Sequence, residues 1–267
     1  MTMETPVAIE QPHRPSGASQ ITQQESPEPA LFGSDPVPRW KRVFDVLAIV
    51  CAAPLWLSGM ICITAWIKLV SPGPTFFRQE RVGLHGRRFM MLKFRSMKVR
   101  ADTDPHENHF DDLVQRNLPM TKLDAAGDGR IILGGRIFRA TGLDELPQLL
   151  NVLRGEMSLV GPRPCTPREL SRYQPAQLER FNACPGLTGF WQVNGKNKTT
   201  FREMIELDII YAKNASLRLD LAIVLKTLPA LLAQVCESRK MREAEGVRAP
   251  QSENSNAPAN PQPCSPA

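Results

Sequence analysis

The residues best suited to chemistry are two adjacent carboxylates, Asp144 and Glu145, with Arg139 upstream and Arg163 downstream in the stretch Gly161-Pro162-Arg163-Pro164. A carboxylate among cations can bind Mg²⁺ through oxygen or attack a phosphorus atom. Arginine presents a planar fork of donors that suits phosphate. The prolines hold Arg163 on a stiff path, and Gly161 lets a ligand approach the backbone. Leu143, Leu146, Leu149, Leu150 and Leu153 recur at helical spacing. They predict a short helix with Thr141 as N-cap, Asp144 as its capping-box partner, Pro147 in the first turn and Gly155 as the stop. Acidic residues in a first turn often do no more than cap and favour the helix dipole. The pair alone therefore reads as a helix cap, and it is Arg139 upstream and the Gly- and Arg-rich loop downstream that turn it toward a reaction centre.

Other cations and polar groups lie within reach in sequence. The run Pro74–Met97 predicts two short strands around a Gly-bounded turn, with Lys93 and Arg95 on one face at period 2. Such a basic strip either holds the chain to anionic lipid or lends one or two side chains to a phosphate. The glycine-rich stretch Cys184–Lys196, with Gln192 and Lys196, frames a nucleotide or sugar, or is a turn and edge strand. His106 and His109 sit among carboxylates, but their spacing matches no metal-ligand pattern, so a solvated loop is expected there.

These groups need an element to hold them at a defined depth. Between Arg42 and Lys68 runs VFDVLAIVCAAPLWLSGMICITAWI, roughly 37 Å as a straight helix and enough to cross a hydrocarbon core of about 30 Å. Ala53-Pro54 breaks it near the middle, because proline removes a backbone hydrogen bond. Cations flank it on both sides: Arg39, Lys41 and Arg42 before, Lys68, Arg78, Arg81, Arg87 and Arg88 after. A spanning helix should show charge asymmetry. Symmetric flanks favour a re-entrant helix that bends at Pro54 and returns to the same leaflet. A plain span and a buried core helix are the alternatives. The later run Leu221–Val235 reads as an interfacial or core-packed helix.

The chain has 267 residues and a formal net charge of +6, so its partners should be anionic. The six cysteines form no CxxC pair, which argues against a disulfide framework or zinc site and for a reducing compartment. Four segments follow: a disordered tail 1–38, the re-entrant helix 39–70, a catalytic domain 71–236 and a disordered tail 237–267. The class expected is α/β, mainly α: a compact catalytic domain on a re-entrant membrane helix, with interfacial amphipathic helices.

Several motifs resemble those of the bacterial sugar transferase family, the monotopic polyprenyl-phosphate phosphoglycosyl transferases, in a short form. They are KRVFDV at 41–46, PGPTFFRQERVG at 72–83, KFRSM at 93–97, LDELPQLLNVLRGEMSLVGPRP at 143–164, PGLTGFWQVNGK at 185–196 and SLRLDL at 216–221. The resemblance implies transfer of a sugar-1-phosphate from a UDP-sugar to polyprenyl (undecaprenyl) phosphate with release of UMP. This would be a first membrane step of exopolysaccharide, capsule, O-antigen or glycoprotein glycan assembly. It implies Asp144 as a nucleophile forming a covalent phosphosugar intermediate, Glu145 completing the dyad, and Mg²⁺ held at Asp144 and Glu145. Arg139, Arg163 and Lys196 would meet the phosphates, and Lys93, Arg95, Gln192 and Asp220 are further substrate-binding candidates. Expected partners are UDP-sugar, polyprenyl phosphate, membrane lipids and either a second copy or other glycan-assembly enzymes, but not nucleic acid. The expected place is the cytoplasmic face of a bacterial inner membrane. The chain departs from the family at Ala53, where Ser is usual, at Lys196, where Arg is frequent, and at Asp128-Gly129-Arg130, where Asp-Pro-Arg is usual. A non-catalytic membrane scaffold is the competing function.

Overall fold

The computed structural model describes residues 36–99, 111–119, 129–195, 199–227 and 229–230. Two helices open it, α1 (Arg39–Cys51) and α2 (Ala53–Val70), and the single residue between them, Ala52, has φ −85° and ψ 0°. The cause is Pro54. It cannot donate to the carbonyl four residues back, and its ring collides with it. Placed in the first turn of α2, it loses nothing, since first-turn amides have no helical acceptor. The break thus falls at Ala52, with Pro54 inside the second helix. The Trp56 indole donates to the Ile49 carbonyl (3.0 Å), giving that carbonyl a partner at the break, where Ala53 has no hydroxyl to offer.

α1 buries Lys41, Asp45 and Ile49, a stripe at four-residue spacing, and exposes Val43, Leu47 and Val50. α2 buries Trp56, Ile63 and Ile67 and exposes Leu55, Leu57, Ile61 and Leu69. Among the described residues, α2 is the one helix long and apolar enough to cross a membrane.

The expected hairpin follows: β1 (Phe76–Val82) and β2 (Arg88–Phe94) pair antiparallel from Phe76↔Phe94 to Val82↔Arg88. His85 (φ 53°) and Gly86 (φ 72°) turn the chain between them. A helix α3 (Gly135–Thr141) leads to the carboxylate pair and then to α4 (Gln148–Arg154). A small parallel sheet joins β3 (Ser158–Val160) to β4 (Gly186–Thr188). Further along come α5 (Phe201–Asn214), started by a Thr200–Glu203 capping box, and α6 (217–227). The architecture is mainly helical with a few short strands.

The main core joins Ile49 and Trp56 of the first two helices to Phe89 and Met91 of β2 and to Leu149 and Val152 of α4. α1 is also bolted on by charge. Arg42 donates to the carbonyls of Val152 and Leu153 at the C-terminal end of α4, where a cation meets the negative end of the helix. Lys41 reaches Asp220 of α6 (2.6 Å) and the Tyr211 hydroxyl of α5 (2.9 Å), and Tyr211 in turn donates to Asp220 (2.7 Å). Asp45 accepts from the Leu159 amide (3.1 Å).

Candidate active site

Gly142, at φ 75°, ends α3 in the left-handed region and turns the chain sharply. Leu143–Glu145 then form one tight turn, and α4 starts only at Gln148 with Pro147 as its cap residue. This corrects the expected capping. Thr141 closes the preceding helix and donates from its hydroxyl to the Ile137 carbonyl (2.7 Å), so it does not cap the following one. Asp144 and Glu145 therefore stand in a separate turn ahead of α4, and Gly155, at φ 82°, stops α4 as expected.

Asp144 is buried and Glu145 partly exposed. Lys93 reaches across from β2 to Glu145 Oε1 at 3.2 Å, a pair with both side chains about a quarter exposed (25% and 30%) and so open to a ligand. Leu146, next along, packs against the cluster that Ile63 and Ile67 of α2 form with Phe94 and Ile132, and its Cδ1 lies 3.6 Å from where a Cβ on Gly59 would be. The carboxylate turn thus rests on the middle of the apolar helix.

A second charged group lies around the Gly161–Pro164 loop. Arg163 grips Glu169 with both terminal nitrogens (2.8 and 3.3 Å). Arg81 stands 3.6 Å from the same carboxylate and donates to the Pro164 carbonyl. Arg180 donates to the Arg163 carbonyl and to Asp208. Three arginines thus meet two carboxylates. Burial would push the Glu169 carboxyl up, but Arg163 and then Arg81 outweigh it and hold the carboxyl below its ordinary range. At Asp208 burial prevails over Arg180 and raises the carboxyl to about 6. Cys165, in the same cluster, is pushed up to about 12 by burial, so it is no thiolate nucleophile. The close approach that Gly161 permits is of another backbone: a Cβ there would lie 2.1 Å from the Cys184 carbonyl.

The other candidates are distributed unevenly. Lys93 is at the dyad. Arg139 lies in α3, five residues before Asp144, and is partly exposed. Arg95 is buried and donates to the carbonyls of Ser71 and Pro72, closing the end of α2. Asp220 is fully buried against Lys41 and Tyr211. Gln192 sits half-buried in the one-turn helix Phe190–Val193 after β4. Lys196, His106, His109 and Asp128 lie outside the described residues. Among the described residues no cluster of three or more metal-ligating side chains occurs. Mg²⁺ does not need one. It commonly takes one or two carboxylates and completes its shell with water and substrate phosphates.

Residues 37–234 match the Bacterial sugar transferase family. The chain belongs to that family. Within it, the chain is 41% identical over 202 residues to the exopolysaccharide production protein ExoY of Rhizobium meliloti, covering 74% of this chain and 86% of that protein. It is 44% identical over 200 residues to a UDP-glucose:undecaprenyl-phosphate glucose-1-phosphate transferase of Caulobacter vibrioides, with 72% and 69% covered. It is 39% identical over 193 residues to the undecaprenyl-phosphate galactose phosphotransferase of Salmonella typhimurium, covering 72% of this chain and 40% of that longer protein. As a bacterial sugar transferase it is an enzyme, and the scaffold alternative falls away.

Sequence reasoning missed Asn151, Glu169, Arg180 and Asp208. Asn151 carried a signal, being a polar residue inside the leucine-rich helical run 143–153, and the structure buries it completely. The Arg180–Asp208 pair carried none, because 28 residues separate partners whose meeting depends on the whole fold.

Proposed function

We propose that this enzyme moves a hexose-1-phosphate from a UDP-sugar to undecaprenyl phosphate and releases UMP, in a membrane step of exopolysaccharide assembly. The observation that carries the reading is the carboxylate turn: buried Asp144 beside the Lys93–Glu145 pair, seated on α2. The names of the Caulobacter and Salmonella relatives supply the substrate class.

Asp144 attacks the phosphorus that bears the sugar. A new carboxyl O–P bond forms as the P–O bond to UMP breaks, and the electron pair leaves on UMP. An oxygen of the lipid phosphate then attacks the same phosphorus and expels Asp144, giving the lipid-linked sugar diphosphate. Two steps let one carboxylate serve two anionic substrates that would repel each other. Lys93 steadies Glu145 and presents positive charge to the transferring group. Mg²⁺ held by Asp144 and Glu145 would neutralise phosphate charge and orient the phosphoryl group.

Re-entry of α1–α2 into the cytoplasmic leaflet belongs to the same reading. Both ends of the segment are tied to one body: Arg42 to α4, and the Ser71–Pro72 carbonyls to Arg95 just beyond β2. A helix crossing the bilayer would separate its ends by about 30 Å on opposite faces. α6 adds an exposed apolar stripe, Leu217, Leu221, Val224 and Leu225, opposite buried Asp220 and Ile223, as an interfacial helix requires. The test is UMP release from a panel of UDP-sugars with undecaprenyl phosphate and Mg²⁺. No release with any member, or Asp144→Asn at near wild-type turnover, would overturn it.

A further inference from the structure

We infer that Asn151 is a positioning residue, setting which residue of β2 faces the carboxylate turn. The inference rests on the reading that Asp144 and Glu145 are the reaction centre. Asn151 lies on α4, six residues beyond Glu145, and is fully buried. Its Oδ1 accepts from the Leu92 amide (3.0 Å) and its Nδ2 donates to the Met90 carbonyl (2.8 Å). These backbone groups lie along the edge of β2 that β1 does not use. The carboxamide therefore behaves as one peptide unit of a missing third strand, offering an acceptor and a donor side by side. The second Nδ2 hydrogen goes to Glu156 Oε2 (2.6 Å), so the amide orientation has one solution: an amide can only donate to it and a carbonyl only accept.

The consequence falls on Lys93, the residue after Leu92. A slip of one residue in how β2 meets α4 would send its side chain to the opposite face, because strand side chains alternate. With Asn151 holding Leu92 and Met90, Lys93 Nζ is delivered to Glu145 at 3.2 Å. No apolar residue of similar size offers this two-point grip, and a misplacement of about 1 Å in such a site costs up to about 100-fold in rate.

The test uses the full-length enzyme in membranes or detergent. Asn151→Asp keeps the acceptor for Leu92, loses the donor to Met90 and sets a carboxylate against Glu156. Expected is a fall in kcat of about 10- to 100-fold, with KM for the UDP-sugar little changed. Adding Glu156→Gln supplies an amide to the new carboxylate and should recover part of the rate. The deciding measurement is a cycle with Lys93→Gln, read in single turnovers at high enzyme concentration. If Asn151 acts through Lys93, the double variant is no slower than Lys93→Gln alone. Losses that multiply, or a lower thermal midpoint with unchanged kcat, would overturn the inference. Absence of UMP release by the wild-type enzyme would instead overturn the proposed function.

Discussion

At the residue scale, the dyad and its cation divide the work by environment. Asp144 is enclosed, whereas Glu145 is reachable and held by Lys93. On the proposed mechanism Asp144→Asn removes the attacking oxygen, so it should lose about 10³-fold or more in turnover, and no phosphosugar adduct should appear on the protein by mass spectrometry. Lys93→Met should lose about 100-fold in kcat/KM, the usual cost of one preorganised electrostatic partner, as measured by UMP release. Glu169 gives a prediction in pH. Its folded-state carboxyl lies below its ordinary value because Arg163 and Arg81 overcome burial. The stability it contributes is then whole above the unfolded value of about 4.3 and is lost as pH falls through the folded one. Glu169→Gln should be less stable than wild type at pH 7, and the gap in thermal midpoint should narrow as pH drops below about 4.3. A gap that stays constant to pH 3 would show that Glu169 does not carry this titration.

At the element scale, α1 matters most. It faces two environments: apolar residues outward and Lys41, Asp45 and Arg42 toward the catalytic body. Lys41→Met leaves Asp220 buried beside one hydroxyl, and removing one partner of a buried pair costs about 3–5 kcal/mol. The variant should be recovered poorly folded from detergent, and adding Asp220→Leu should restore much of the thermal midpoint. Activity in that double variant would further show that Asp220 serves the fold and not the substrate. The helix break, the basic hairpin and the stop at Gly155 were legible in the sequence, because proline, glycine and strand alternation act locally. The start of α4 was not. Thr141 and Asp144 have the right spacing for a capping box, but Gly142 adopts a left-handed conformation and ends one helix where the spacing suggested a beginning. The roles of Arg95 and Asp220 were illegible for another reason. A cation on a strand face and an acid in an apolar helix look the same whether they meet a substrate or a distant carbonyl, and only the fold brings Ser71 to Arg95 or Lys41 to Asp220.

At the scale of the whole molecule, the exposed apolar residues of α1, α2 and α6 lie on helices that all pack on one catalytic body, and the dyad turn rests on α2 through Leu146. On the proposed reading, a lipid phosphate diffusing within the leaflet reaches Asp144 from the side of these helices. α2 alone, at 18 residues, is about 27 Å long, nearly the core thickness, so length does not separate re-entry from a span. The attachments support the re-entry proposed above: Arg42 and Arg95 tie opposite ends of the segment to α4 and to the end of β2, which themselves pack together. Pro36→Cys and Val99→Cys, made separately after replacing the exposed Cys51 and Cys62 and the C-terminal Cys236 and Cys264 by alanine, place a thiol beyond each end. With re-entry, a membrane-impermeant maleimide should label neither site in intact spheroplasts and both once the membrane is opened. Labelling of one site alone from outside would mean that the segment crosses the bilayer, and the contacts of Arg42 and Arg95 with a single body could not then both exist in the membrane.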